Sequence, residues 1–147
     1  MPFFLFKNGR LYIRTKVRIV KRVRRIRVRS SMLKHTAAER KVLNEQARGI
    51  VTEGVEYFAA LYGVQYGKIF IKNQQTRWGS CSSRGNLNFN YRIALLRPEL
   101  QDYLIVHELC HLREMNHGKK FWDMVSEQIP DYKALDKELK QNPLKID

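Results

Sequence analysis

Hydrophobic and polar residues recur with clear periods along most of the chain. Near the N-terminus, β-branched residues alternate with Arg and Lys from Ile13 to Ile19 and from Arg25 to Arg29, which predicts two short strands joined by a bend. From about Ser31 to Tyr62 apolar residues recur every three to five positions among charged ones. This pattern predicts a long helix, with Gly63 as its natural stop.

Two further strands are predicted in the middle of the chain. Lys68 to Trp78 has the character of a strand, and residues 79–85 have the composition of a turn region. In the next segment apolar residues alternate strictly with polar ones, so one face should be buried and the other exposed to water. The apolar set is Leu87, Phe89, Tyr91 and Ile93, and the polar set is Asn86, Asn88, Asn90 and Arg92. We expect the two strands to form an antiparallel hairpin.

The rest of the chain is predicted to be helical. Pro98 suits a first helical turn, and the helix that follows, to about Asn116, is apolar nearly all round and should be central and buried. A second helix spans Lys119 to Gln128 and stops at Pro130. A last amphipathic helix carries Tyr132, Leu135 and Leu139, with Asp131 as its N-cap.

A His-Glu-Leu-Cys-His segment, residues 107–111, lies within the predicted buried helix. Residues four apart on a helix project from one face, so His107 and His111 can share one metal ion. Glu108 lies about 100° around the axis, where it can hydrogen-bond a metal-bound water without being a ligand. Hydrolytic zinc sites divide the work in this way: the metal lowers the pKa of a water, and a carboxylate accepts its proton.

His117, six residues after the second histidine, is the predicted third zinc ligand. Six helical residues advance about 240° beyond a full turn, so the helix must end before His117 and the chain must fold back. Asn116 and Gly118 flank it and tolerate left-handed backbone. Metzincin peptidases have the same interval between their second and third ligands, but with Gly at the position of Glu114. The competing third ligand is a carboxylate on the next helix, with Glu127 the best choice. Three histidines leave the fourth zinc position open for water, as in catalytic sites.

Other conspicuous residues have simpler interpretations. Trp78, Phe121 and Trp122 are expected to belong to the core. Cys110 points away from the two histidines and should be a buried, small apolar residue. The fourth histidine, His35, is expected to be isolated and solvated.

The formal net charge of +14 is concentrated near the N-terminus. Residues 1–38 contain twelve Lys or Arg and no acidic residue, whereas residues 39–147 contain sixteen basic and fourteen acidic ones. The basic residues within 7–34 could contact nucleic acid through its phosphates. A solvated strand face or a contact with anionic lipid is an equal alternative.

Two features bear on where the protein works. No apolar run approaches the length of a membrane span, and the opening segment lacks the parts of a signal peptide. The two cysteines, Cys81 and Cys110, are too few and too far apart for a secreted disulfide framework. We therefore expect a cytoplasmic protein with reduced thiols.

Several segments together resemble the YgjP-like metallopeptidases, a family related to the SprT-like and WLM metalloproteases. They are Gln75 to Ser82, Asn86 to Leu95, Tyr103 to Leu112, Asn116-His117 and Phe121-Trp122, in order and with correct spacing over about residues 68–140. The resemblance implies a zincin-type α+β domain with a long helix backing a sheet. It also implies zinc ligands at His107, His111 and His117, with Glu108 as general base. In zincins an extended peptide substrate typically adds to a sheet edge above the metal, and either Ile69–Trp78 or Asn86–Arg92 could provide that edge.

We therefore predict a single zincin-like α+β domain over residues 1–147, with a basic β arm at 1–30 and a catalytic body at 31–147. A small antiparallel or mixed sheet should pack on the long helix and the His-Glu helix, followed by C-terminal helices. The leading function is a zinc metallopeptidase acting on peptides or proteins. One alternative is a zinc-dependent nucleotide or phosphoanhydride hydrolase at the same site, which the lack of a Gly-rich phosphate loop disfavours. The other is a nucleic-acid-associated protein.

Overall fold

The structure, a computed structural model, describes residues 35–142 and the backbone of residues 4–7 and 10–13. The chain forms two units, residues 1–31 and 32–147. In the first unit, β1 (Phe4–Lys7) pairs antiparallel with β2 (Arg10–Ile13). The strand β1 was not predicted. Apart from Ile13, the two predicted arm strands, 13–19 and 25–29, lie outside the described residues.

The long helix α1 spans Ala37–Tyr62, and local sequence sets both of its ends. At the start, Thr36 Oγ1 accepts a hydrogen bond from the Glu39 amide at 3.2 Å, while Glu39 Oε2 accepts one from the Thr36 amide at 2.7 Å. This capping box satisfies two amides that a helix start leaves unpaired, which is why the helix begins after Thr36 rather than near Ser31. At the other end Gly63 has φ +62°, so the predicted glycine stop is confirmed.

The second unit contains a three-stranded mixed sheet in the order β3-β5-β4. Its strands are β3 (Ile69–Lys72), β4 (Gly79–Cys81) and β5 (Leu87–Asn90), with β5 parallel to β3 and antiparallel to β4. The predicted antiparallel pairing of Lys68–Trp78 with the alternating strand is therefore wrong. That segment is β3 followed by a loop, and the hairpin partner of β5 is β4, which lies in the predicted turn region.

The alternating strand β5 is buried on both faces, so the predicted water-exposed face is also wrong. Asn88 is 9% exposed and Asn90 is fully buried. The loop between β3 and β4 covers this face, because Asn90 Nδ2 donates to the carbonyls of Gln74 at 2.6 Å and Arg77 at 3.2 Å. The strand ends there, and residues Tyr91–Leu95 form a short 3-10 helix instead of extending it.

Three helices complete the unit: α2 (Pro98–Cys110), α3 (Lys119–Gln128) and α4 (Tyr132–Lys140). The helix α2 is central and buried, as predicted, and it packs against α1, α3, α4 and β4. It ends at Cys110, however, six residues before the predicted end. The bounds of α3 match the prediction, and Asp131 stands at the N-cap of α4 without a side-chain capping bond.

The core lies between α1, β5, the 3-10 helix and α2. At the crossing of α1 and α2, a Cβ on Gly54 would lie 2.5 Å from Ile105 Cδ1, so the glycine permits the close approach. Among the described residues, none of the helices combines the length and hydrophobicity that crossing a bilayer requires.

Candidate metal centre

The end of α2 and the chain reversal after it place three histidines side by side. His107 lies in the last turn of α2, and His111 is the residue at which the helix ends. A turn over residues 111–113 then reverses the chain, and Arg113 Nη2 fixes it by donating to the carbonyl of Tyr62 at 2.7 Å. Gly118 has φ −82°, so the chain reverses here without using the left-handed backbone that a glycine tolerates. The helix nevertheless ends before His117, as the spacing of the histidines requires.

The three imidazoles have the arrangement of a metal-binding set. One ring nitrogen from each of His107, His111 and His117 lies within 4.8 Å of the others. The Nε2 atoms of His107 and His117 are 3.1 Å apart. Tetrahedral zinc with Zn–N bonds near 2.05 Å separates its nitrogen ligands by about 3.3 Å, so this spacing suits such an ion. Glu127, the competing third ligand, is not part of the group.

Hydrogen bonds to Nδ1 orient two of the rings. His111 Nδ1 lies 3.1 Å from the carbonyl of Glu114, which can only accept, so this nitrogen carries the proton and leaves the Nε2 lone pair free. His107 Nδ1 lies 3.4 Å from the Tyr103 hydroxyl. Burial, followed by the charges of His111 and His117, lowers the pKa of His107 to about 3, and burial also lowers the pKa of His111. Both rings are thus neutral near pH 7, the form that binds a cation. The donor set fits a zinc ion.

Aromatic rings from α3 enclose the imidazoles. Phe121, fully buried, stacks on His111 with centroids 4.6 Å apart and meets His107 and His117 edge-on at 4.9 and 4.7 Å. The prediction that Phe121 is a core residue is confirmed, and its packing also sets the three ring planes. Trp122 instead is half-buried, with its ring 5.8 Å from that of His117.

Glu108 lies on the buried side of α2, beneath the edge strand β4. Its side chain is 5% exposed, and an ideal Cβ on Gly79 would lie 2.7 Å from its Oε1 atom. Glycine at position 79 therefore gives the carboxylate its place. Burial raises the pKa of Glu108 to about 8, and the charge of Arg77 partly opposes the shift. A carboxylate whose pKa lies near neutrality is well matched to act as a general base.

His107, His117 and Glu108 open into a cleft of about 640 Å³. Trp78 and Trp122 line it and are half-buried. Both also pack against the hydrophobic core, so the prediction that they belong to the core is confirmed in part. Four other side chains that line this cleft were not predicted from the sequence: Arg77, Tyr103, Asp136 and Lys140. They come from a loop, from α2 and from α4, so no single local motif contains them.

The remaining predicted residues lie apart from this cleft. His35 is half-buried rather than isolated and solvated: its Nδ1 lies 2.9 Å from the Tyr91 hydroxyl, and the ring packs edge-on against that tyrosine. Cys110 is 1% exposed, so its predicted burial is confirmed, and that burial raises the pKa of its thiol to about 11.

An α+β fold with a histidine cluster at the end of a buried helix is the arrangement of the zincin-like metallopeptidases. Two solved structures share the fold, both of archaeal metallopeptidase zymogens. Abylysin from Pyrococcus abyssi has a TM-score of 0.59 and 22% sequence identity, over 65% of this chain and 96% of that one. Jannalysin from Methanocaldococcus jannaschii has a TM-score of 0.56 and 22% identity, over 62% and 94%.

The sequence itself identifies the family. Residues 8–142 match the YgjP-like family, described as a metallopeptidase domain. A search of curated proteins found no match. The chain belongs to the YgjP-like metallopeptidases and is a peptidase.

Proposed function

We propose that the protein is a zinc-dependent peptidase in which His107, His111 and His117 hold the metal and Glu108 is the general base. The observation that carries this proposal is the grouping of three histidine nitrogens within 4.8 Å, with Glu108 lining the same cleft as His107 and His117. Three histidine ligands suit zinc and leave one coordination position open. When bound, zinc would lower the pKa of a water molecule and polarise the peptide carbonyl.

The residues of the chain supply the proton transfer. Glu108 takes a proton from the attacking water and delivers it to the leaving amine. Its burial against Gly79 keeps the carboxylate in one position, and the raised pKa strengthens it as a base. Phe121 excludes water from one side of the imidazoles and keeps their planes fixed.

The edge strand β4 is the best place for an extended substrate. Of the two segments considered from sequence, Asn86–Arg92 contains the central strand β5, whose backbone is already paired on both sides. The first segment contains β3, and directly after it comes β4, which packs on α2 next to Glu108. A peptide that added to β4 by main-chain hydrogen bonds would lie across the cleft.

Replacing Glu108 by Gln tests the assignment of the base. The variant keeps the size of the side chain and leaves the three histidines untouched, so zinc content should equal that of the wild type. Hydrolysis of a casein or peptide substrate should fall by roughly two to four orders of magnitude, the usual contribution of a general base. The matched control is Glu127→Gln on α3, which should retain both zinc and activity. Surviving hydrolysis in the Glu108→Gln variant would rule out this base.

Contact with nucleic acid is a second proposal, which rests on the charge of the sequence. Twelve basic residues and no acidic one fall within residues 1–38. Such a segment gives affinity for DNA or RNA that decreases steeply with salt. Filter binding of a 30-mer at two salt concentrations should show weaker binding by a variant that starts near Ser31 than by the full chain. If the two proteins bound the nucleic acid equally well, the basic N-terminal segment would not be the part that binds it.

A further inference from the structure

A chain of polar contacts leads from the metal-facing histidines to the C-terminal helix. The Tyr103 hydroxyl lies 3.4 Å from His107 Nδ1 and donates to Asp136 Oδ1 at 3.0 Å. The other carboxylate oxygen of Asp136 accepts from Lys140 Nζ at 2.6 Å. Asp136 and Lys140 are four residues apart on α4, so one face of that helix supplies the end of the network.

The direction of each hydrogen bond follows from the chemistry of the groups. When Nε2 of His107, which faces the histidine cluster, binds the metal, Nδ1 is the nitrogen that carries the proton and it can donate to the Tyr103 oxygen. The hydroxyl proton of Tyr103 then points to Asp136, since an ionised carboxylate can only accept. The network thus selects one tautomer of His107 and one orientation of its ring.

The surroundings make this network more than a surface contact. Tyr103 is 1% exposed, so its hydroxyl is shielded from water that could replace its bonds, and the side chain of Asp136 is only 25% exposed. All four residues of the network line the same cleft as Glu108. A metal-ligating histidine whose second nitrogen donates toward a carboxylate has a more basic ligating nitrogen and a fixed ring.

We propose that Tyr103 and Asp136 are positioning residues that hold His107 in its ligating tautomer and orientation, which makes α4 part of the metal site. This inference rests on the proposed function, because it assigns the residues a role toward a zinc ligand. Asp136 acts through Tyr103 and does not itself touch the reacting atoms. Lys140 keeps the carboxylate turned toward the tyrosine.

Zinc affinity of the full-length protein, measured by competition with a chelator, tests the proposal. Tyr103→Phe removes one hydroxyl and keeps the ring, and Asp136→Asn removes one charge and keeps the shape. Each should weaken zinc binding by roughly ten- to a hundredfold, the usual effect of losing a partner of a ligating histidine. Asp136 acts through Tyr103, so the two substitutions should not be additive. The double variant, Tyr103→Phe with Asp136→Asn, should bind zinc about as weakly as whichever single variant has the lower zinc affinity.

Two matched variants separate positioning from general structural loss. Tyr62→Phe also removes a tyrosine hydroxyl. That hydroxyl donates a 2.7 Å hydrogen bond to the carbonyl of Met124 and makes no hydrogen bond to the three histidines. Asp123→Asn breaks the ion pair with Lys119 on α3, which has the same four-residue spacing as Asp136–Lys140. Both controls should keep wild-type zinc affinity, and the visible absorption of bound Co²⁺ should change only in the Tyr103 and Asp136 variants.

The outcomes are distinct. Zinc affinities of Tyr103→Phe and Asp136→Asn within about threefold of the controls would overturn the positioning role while leaving the zinc peptidase intact. A wild-type protein that binds no zinc would instead overturn the proposed function and this inference with it. If Tyr103→Phe fails to fold, Asp136→Asn decides alone, because its side chain reaches the surface.

Discussion

The contact between Glu108 and Gly79 shows how one residue of the sheet determines the space available to a side chain of the helix. The carboxylate is 5% exposed and is held between α2 and the first residue of β4. A Cβ at position 79 would approach Oε1 to 2.7 Å and Cγ to 2.9 Å, closer than packed atoms tolerate. The glycine at position 79 is therefore explained by the space that the Glu108 carboxylate occupies.

Gly79→Ala should impair catalysis without removing the metal. The added methyl group must displace the Glu108 carboxylate, and a shift of about 1 Å in a catalytic group can cost a hundredfold in rate. We expect kcat/KM for a peptide substrate to fall by about that factor while zinc content stays unchanged. Gly118→Ala is the matched control, since nothing lies within 4 Å of its ideal Cβ. Similar activities of the two variants would show that Glu108 does not depend on this contact.

For individual residues, the sequence predicted the side chains that helix geometry brings together. It missed the side chains that only tertiary contacts bring together. His107 and His111 lie together because residues four apart share a helix face. Tyr103 and Asp136 are hydrogen-bonded but 33 positions apart, so no local pattern could join them. The contact of His35 was missed for the same reason, because its partner, Tyr91, is 56 positions away in the sequence.

Among the elements, α1 carries two glycines whose surroundings are opposite. Gly49 is exposed and has nothing within 4 Å of an ideal Cβ, whereas Gly54 faces Ile105 at the crossing with α2. Ile105 is 1% exposed, so its side chain has little room to move aside. The first glycine only weakens the helix, while the second permits the close packing of α1 against α2.

Alanine at these two positions should therefore change stability in opposite directions. Gly49→Ala should raise the free energy of unfolding by about 0.5–1 kcal/mol, because alanine loses less conformational entropy in a helix. Gly54→Ala should lower it by about 1–3 kcal/mol through overpacking against Ile105. Urea unfolding followed by circular dichroism measures both. A stabilised Gly54→Ala variant would mean that the helix crossing is looser than described.

Element boundaries were predictable where a local signal marks them. The stop of α1 at Gly63 and the start of α3 after Gly118 were predicted within a few residues. The strands were not, because Asn88 and Asn90 alternate with apolar residues as exposed positions do. Both are buried and hydrogen-bonded to residues earlier in the chain, Asn88 to Ser80 of β4 and Asn90 to the loop before β4. Periodicity carries no information about such contacts.

For the catalytic unit as a whole, α2 brings the parts of the candidate site together. It supplies His107, Glu108 and Tyr103, and its end at Cys110 allows the chain to return with His117. Neighbouring elements add the rest, with Gly79 from β4, Phe121 from α3 and Asp136 from α4. The α+β class and the histidine cluster followed from the sequence, whereas the mixed order of the strands and the role of α4 required the structure.

Zinc content per chain, determined by elemental analysis of the purified protein, tests the central claim most directly. The wild type should contain about one zinc ion per chain, held by three histidines. His117→Ala should lose the metal or bind it much more weakly, because only two histidine ligands remain. His35→Ala, which changes the one histidine outside the cluster, should match the wild type. Absence of zinc from the wild type, or undiminished zinc affinity in His117→Ala, would contradict the account.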